Sequence, residues 1–63
     1  MVTIKISHLG NNMINFQIFN QYNERLSTLS KTKRLDQKEK YQEKLRKLFM
    51  VRGQYVTVND LTK

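Results

Sequence analysis

The feature that most constrains this chain is the segment of residues 31–53, KTKRLDQKEKYQEKLRKLFMVRG, which combines a helical repeat with most of the positive charge. Apolar residues recur there at the three- and four-residue spacing that places them on one side of a helix: Tyr41, Leu45, Leu48 and Phe49. Asp36 can accept hydrogen bonds from the free N–H groups of a first turn, and Gly53 can end a helix in the left-handed conformation. We therefore predict a helix over residues 37–52.

The N-terminal residues 2–7 alternate between apolar and polar side chains, which predicts a strand with one buried face. Gly10 and two asparagines then predict a turn, since these residues tolerate positive φ. Residues 13–19 have two interpretations. A period of two makes them the second strand of a hairpin, whereas a period of 3.6 makes them the start of a helix that Asn12 caps. Five asparagines between positions 11 and 23, with the isoleucine and phenylalanine content, favour the hairpin.

Under both interpretations Tyr22, Leu26 and Leu29 follow helical spacing, and residues 30–34 interrupt it, which predicts two helices joined by a loop. Residues 55–58 alternate as a strand does, and the simplest partner for this strand is the first one. The predicted fold class is α+β. We expect one domain, 1–63, in which a small antiparallel sheet (N-terminal strand or hairpin plus C-terminal strand) carries a helical hairpin packed on one face.

Charge and composition restrict the function. The net charge is +7, and the segment 31–53 holds nine of the twelve basic residues and three of the five acidic ones. The absence of cysteine and the single histidine exclude a disulfide and the usual zinc ligand sets, so we expect no cofactor. Without a long apolar run, we expect a cytoplasmic protein with no membrane insertion. So short a chain buries little core, and a homodimer is one way to bury more.

A basic helix favours acidic partners, and nucleic acid is the first of them. The predicted phosphate contacts are Lys31, Lys33, Arg34, Lys38, Lys40, Lys44, Arg46, Lys47 and Arg52. The composition is typical of an AT-rich genome, so we expect a regulatory or accessory protein of a phage, a plasmid or a low-GC bacterium. In the alternative hypothesis, a phage-type inhibitor or assembly factor docks the same helix on an acidic surface of a host protein. The plainest interpretation is a solvated helix face, because Glu39 and Glu43 lie among the lysines.

The other sequence motifs give less information about function. Tyr55 follows the basic helix and is a candidate to stack on a base of a single strand. Ser30 and Lys33 match S-x-x-K, but the companion motifs of that chemistry are missing. No motif around His8 suggests a catalytic triad, and the two glycines form no phosphate-binding loop. We therefore expect a protein that is not an enzyme and has no small-molecule substrate.

Overall fold

The computed structural model describes residues 1–62, which form a four-stranded mixed sheet covered on one face by one helix. The elements are β1 (Val2–Gly10), β2 (Met13–Phe19), β3 (Thr32–Arg34), a 3₁₀ turn (Leu35–Gln37), α1 (Lys38–Val51) and β4 (Val56–Asp60). The strand order is β3-β2-β1-β4. β2 is antiparallel to both of its neighbours, and β4 is parallel to β1.

The hairpin prediction for β1 and β2 is confirmed. The two strands pair from Thr3 with Phe19 to Gly10 with Met13. Asn11 and Asn12 between them have φ values of 51° and 59°. Two successive residues with positive φ define the tight turn whose twist matches that of the flanking strands, and asparagine accepts this conformation more readily than other side chains.

The core lies between the sheet and α1. Alternate residues of β1 and β2 point to the helix, and they meet the apolar stripe of α1. The buried residues are Val2, Ile4, Ile6, Ile14, Phe16, Ile18, Tyr41, Leu45 and Phe49. Phe16 and Tyr41 meet edge to face, with ring centroids 4.9 Å apart. Three of the four residues of the predicted stripe, Tyr41, Leu45 and Phe49, therefore form the core face of α1, whereas Leu48 is half-buried outside the core cluster. The sheet is the partner of this face where we expected a second helix.

The predicted helical hairpin is wrong, because residues 20–31 form no helix. The side chain of Asn20 accepts hydrogen bonds from the backbone N–H groups of Tyr22 (2.9 Å) and Glu24 (3.0 Å). Asn23 has a φ of 63°. Short polar side chains that bond to nearby backbone groups compete with helix formation. These two asparagines turn the chain where the apolar spacing alone predicted a helix.

The rest of this segment lies along the outer edge of β2. The N–H of Leu26 donates to the carbonyl of Ile18 at 2.7 Å. The hydroxyl of Ser30 accepts from the N–H of Ile18 at 3.1 Å and donates to the carbonyl of Leu26 at 3.0 Å. Leu26 and Leu29 pack against the core from this position. Their three-residue spacing thus comes from a bent loop, which satisfies its backbone groups through β2.

The expected purely antiparallel sheet is also wrong. The C-terminal strand does pair with the first strand, as predicted, but it runs parallel to it, from Val2 with Val56 to Ile6 with Asp60. α1 connects β3 to β4, and β3 runs parallel to β1 because β2 is antiparallel to both. Because α1 returns the chain to the end of the sheet where β3 began, β4 points in the same direction as β3 and β1.

α1 begins and ends within one residue of the prediction, but its ends are made differently. Gly53 has a φ of 71°, which confirms its role after the last turn. Asp36 does not cap the first turn, since no side chain bonds there. Its carboxylate lies 3.1 Å from the guanidinium of Arg34 on the surface. The chain enters α1 through the 3₁₀ turn. Within residues 1–62, no helix has the length and apolar character needed to cross a membrane.

Candidate nucleic-acid interface

Five lysines gather along one side of α1. We call this set the basic flank: Lys31, Lys33, Lys40, Lys44 and Lys47. Two hollows adjoin here, between α1 and the segment of residues 28–33, and the larger has a volume of about 410 Å³. No aspartate or glutamate of the described chain lines either hollow. The basic flank is therefore a region where positive charge accumulates without a neutralising carboxylate in its lining.

Tyr41 fixes the geometry of this flank. Its hydroxyl donates to the carbonyl of Leu29 at 2.7 Å, which ties the loop to α1. The ammonium nitrogen of Lys33 lies 4.8 Å from the centre of the tyrosine ring, within the range of a cation–π contact. Burial raises the pKa of the Tyr41 hydroxyl. The hydroxyl therefore stays protonated at neutral pH and remains a donor to Leu29.

Lys47 lies at the crest of α1, between the two sides of the helix. Its ammonium nitrogen is 3.5 Å from the carboxylate of Glu43, and both side chains are about 70% exposed. Exposed pairs of this kind contribute little to stability and are screened by salt. Lys47 can exchange this partner for a phosphate at low energetic cost.

The opposite side of α1 has both signs of charge. We call it the mixed flank: Lys38, Glu39, Gln42, Glu43, Arg46 and Met50, beside β4. Lys38 is engaged within the fold, because its ammonium nitrogen lies 2.8 Å from Asp60 Oδ2 and 3.1 Å from the Thr62 hydroxyl. Its side chain is only 19% exposed. Among the predicted phosphate contacts, Lys38 is thus the one that forms a shielded ion pair within the fold.

The ion pair with Lys38 changes the pKa of Asp60. Burial by itself would raise the pKa of Asp60, but Lys38 and the hydroxyl and amide of Thr62 stabilise the carboxylate. Together they lower its pKa to about 2. Asp60 is accordingly ionised at neutral pH.

The remaining predicted contacts are scattered. Arg34 faces Asp36 on the surface, and Arg46 lies on the mixed flank. Arg52 is exposed just beyond the end of α1. Tyr55 is 82% exposed and borders a hollow with Arg46 and Met50, on the side of α1 away from the basic flank. The structure therefore brings together five of the nine predicted cations and separates the other four, and Tyr55 with them.

Residues that the sequence did not predict as part of the site also line the larger hollow. Thr28 and Leu29 contribute to it from the loop, and Leu48 and Val51 from α1. Residues 22–29 were expected in a helix, so no signal placed them beside the lysines. The asparagines at 20 and 23 were the available sign that the chain bends there.

Within residues 1–62, no three histidine, cysteine, aspartate or glutamate side chains lie close enough to hold a metal ion. Comparison of the chain with protein-family models, curated proteins and solved structures gave no significant match.

Proposed function

We propose that the protein binds nucleic acid through the basic flank, contacting phosphates. The observation that carries this proposal is the acid-free lining of the two hollows, along which five lysines lie. Cations that neutralise phosphates release condensed counterions, and this release supplies most of the free energy of non-specific binding. A net charge of +7 adds long-range attraction to any polyanion.

The spacing along α1 suits a phosphate backbone. Lys40 and Lys47 are separated by about 10 Å along the helix axis, from the rise of 1.5 Å per residue. This is about the axial length of three nucleotides in one strand of B-form DNA. Lys44 lies between them, and Lys31 in the facing loop and Lys33 in β3 add charge. Lysine contacts of this kind position a protein on a strand and carry no sequence information.

The test is a pair of variants that lose the same charge from different sides. Lys40→Gln with Lys44→Gln removes two cations from the basic flank, and Arg46→Gln with Arg52→Gln removes two from elsewhere on the surface. All four residues are exposed, so both variants should fold. Affinity for a duplex and for a single strand would be measured by fluorescence anisotropy at several salt concentrations.

We expect the lysine variant to lower the slope of log K against log[salt] on duplex DNA by about 1.8. The matched arginine variant should lower it by much less, since those residues lie away from the proposed contact. Equal losses in the two variants would show that the whole surface binds without a defined site. Absence of binding by the wild type at low salt would reject the proposal.

A second candidate function is favoured by the apolar floor of the larger hollow. Leu29, Leu48 and Val51 lie among the lysines, and Val51 is 89% exposed. A rim of cations around apolar side chains suits an acidic amphipathic segment on the surface of a host protein. Val51→Ser separates the two functions, because it should weaken capture of such a partner and leave the affinity for nucleic acid unchanged.

A further inference from the structure

β4 is an edge strand with one unpaired side. The hydrogen bonds at the two ends of its pairing with β1 run from the Val2 N–H to the Tyr55 carbonyl and from the Leu61 N–H to the Ile6 carbonyl, both 2.8 Å. In a parallel pair, alternate residues of a strand bond to the same neighbour. The backbone groups of Val56, Val58 and Asp60 are therefore directed outward, away from β1.

The two edges of the sheet are protected unequally. β3 is three residues long, and two of them are basic, which are the features that discourage pairing with another chain. The five residues of β4 include no lysine, arginine or proline. Half-buried Val56 and Val58 lie on its helix-facing side, and Tyr55 beside them is 82% exposed. β4 has the form of a strand that accepts a partner.

The charged residues of α1 that lie beside β4 follow a fixed order along the strand. α1 runs antiparallel to β4, because Lys38 at its start contacts Asp60 while Met50 near its end borders the same hollow as Val56. Near the middle of α1, Glu43 and Arg46 face the β4 side. A rotation of 180° about an axis beside the outer edge of β4, level with Val58, would reverse this direction in the second copy and bring Glu43 and Arg46 of the two copies toward each other.

We propose that β4 pairs antiparallel with β4 of a second copy of this chain, about a two-fold axis that lies between the Val58 residues of the two copies. Val56 of each copy then pairs with Asp60 of the other, and Val58 pairs with itself. The same axis brings Glu43 of each copy toward Arg46 of the other, as a self-complementary interface requires. The exposed Met50 side chains lie along the same margin.

This interface is independent of nucleic-acid binding. It uses β4 and the mixed flank, whereas the basic flank, apart from Lys47 at the crest of α1, lies on the other side of the helix. The dimer would present two basic flanks at the outer sides of one eight-stranded sheet. A small interface formed mainly by strand pairing belongs with weak, transient associations.

Sedimentation equilibrium tests the proposal on the whole chain. The mass should rise from 7.6 kDa toward twice that value as concentration increases, with half-dimerisation on the order of 10–500 µM for a weak contact. Arg46→Glu should raise the dissociation constant about tenfold or more, since it places like charges across the axis. Lys44→Glu is the matched control, because it makes the same change in charge on the basic flank and should leave the dissociation constant within about twofold.

Two further variants test the geometry. Glu43→Arg combined with Arg46→Glu exchanges the charges and should restore the affinity of the wild type. Val58→Pro removes an outward N–H while sparing the bonds to β1, and should raise the dissociation constant about tenfold, with circular dichroism reporting the fold. A wild type that stays at 7.6 kDa at about 1 mM, far above such a dissociation constant, would overturn the proposal. So would equal effects of Arg46→Glu and Lys44→Glu, or failure of the exchange to restore dimerisation. If Val58→Pro fails to fold, the charge variants decide.

Discussion

Lys38 Nζ lies 2.8 Å from Asp60 Oδ2, and this ion pair joins the first turn of α1 to the end of β4. The two residues are twenty-two positions apart, and both side chains are largely shielded from water. The pair holds the helix in its direction across the sheet. It also removes one cation from the set available to phosphates, so charge counted along the sequence overstates the charge available at the surface.

The ion pair makes stability depend on acidity. The carboxyl of Asp60 has a pKa of about 2 in the folded chain and an ordinary value of 3.8. Between about pH 4 and pH 2 the unfolded chain binds more protons, so the free energy of unfolding should fall as pH falls through this window. Urea unfolding at a series of pH values would measure it. Asp60→Asn should remove this part of the slope, and an unchanged slope would contradict the role given to the pair.

Leu45 is a central contact between α1 and the sheet. It is 2% exposed, so Leu45→Ala should lower the free energy of unfolding by about 2 to 5 kcal/mol. Such a loss would unfold much of so small a domain. Lys47→Ala, two residues on and exposed, should change the free energy by less than about 0.5 kcal/mol. Chemical denaturation of the two variants checks the packing, and equally small losses would show that α1 does not lie on this core.

The Tyr41 hydroxyl should be needed to hold the loop. Tyr41→Phe keeps the ring under Lys33 but leaves the Leu29 carbonyl without its donor, at a cost of about 1 to 3 kcal/mol. Hydrogen exchange should show faster exchange at the N–H groups of Leu26 and Ser30, with the amides of β1 less affected. Uniform acceleration throughout the chain would mean that the hydroxyl supports the whole fold, and not the loop in particular.

Two substitutions at Asn12 in the hairpin turn should affect the stability of the protein differently. Asn12 has positive φ, so Asn12→Val should destabilise the protein by about 1 to 2 kcal/mol. Asn12→Gly supplies the residue that this turn prefers and should be neutral or stabilising. Thermal unfolding monitored by circular dichroism compares both variants with the wild type. A loss of stability in both would indicate that the asparagine side chain itself is required.

The sequence predicted correctly the strands and the helix whose apolar residues repeat because one face of the element is buried. Val2, Ile4 and Ile6 alternate because they face the helix, and Leu45 and Phe49 repeat because they face the sheet. The first predicted helix failed for the opposite reason. A spacing of three between two leucines fits a helix, but a loop that follows the edge of a strand produces the same spacing. The bonds that decide between them join residues distant in sequence, such as Ser30 with Ile18.

The candidate site was predictable in composition and unpredictable in layout. The sequence named all five lysines of the basic flank, because charge is visible without a structure. It could not separate them from Arg46 or Lys38, since the surroundings of each side of α1 depend on the elements that pack beside it. One side faces residues 28–33 and the other faces β4. Those neighbours follow from the parallel placement of β4, which local patterns do not encode.

The pairing of β1 with β4 also determines which edge of the sheet is unpaired in a chain that lacks its last residues. β1 and β2 are adjacent in sequence and can pair soon after they are synthesised. Val2 can pair with Val56 only after β4, the last strand, has been synthesised. Until then one edge of β1 has no strand beside it, and its apolar residues stay partly uncovered. A product cut short after α1 would keep that edge permanently and would be prone to aggregate. The last strand thus covers the edge of β1, and a chain that lacks it leaves the backbone groups of that edge unpaired.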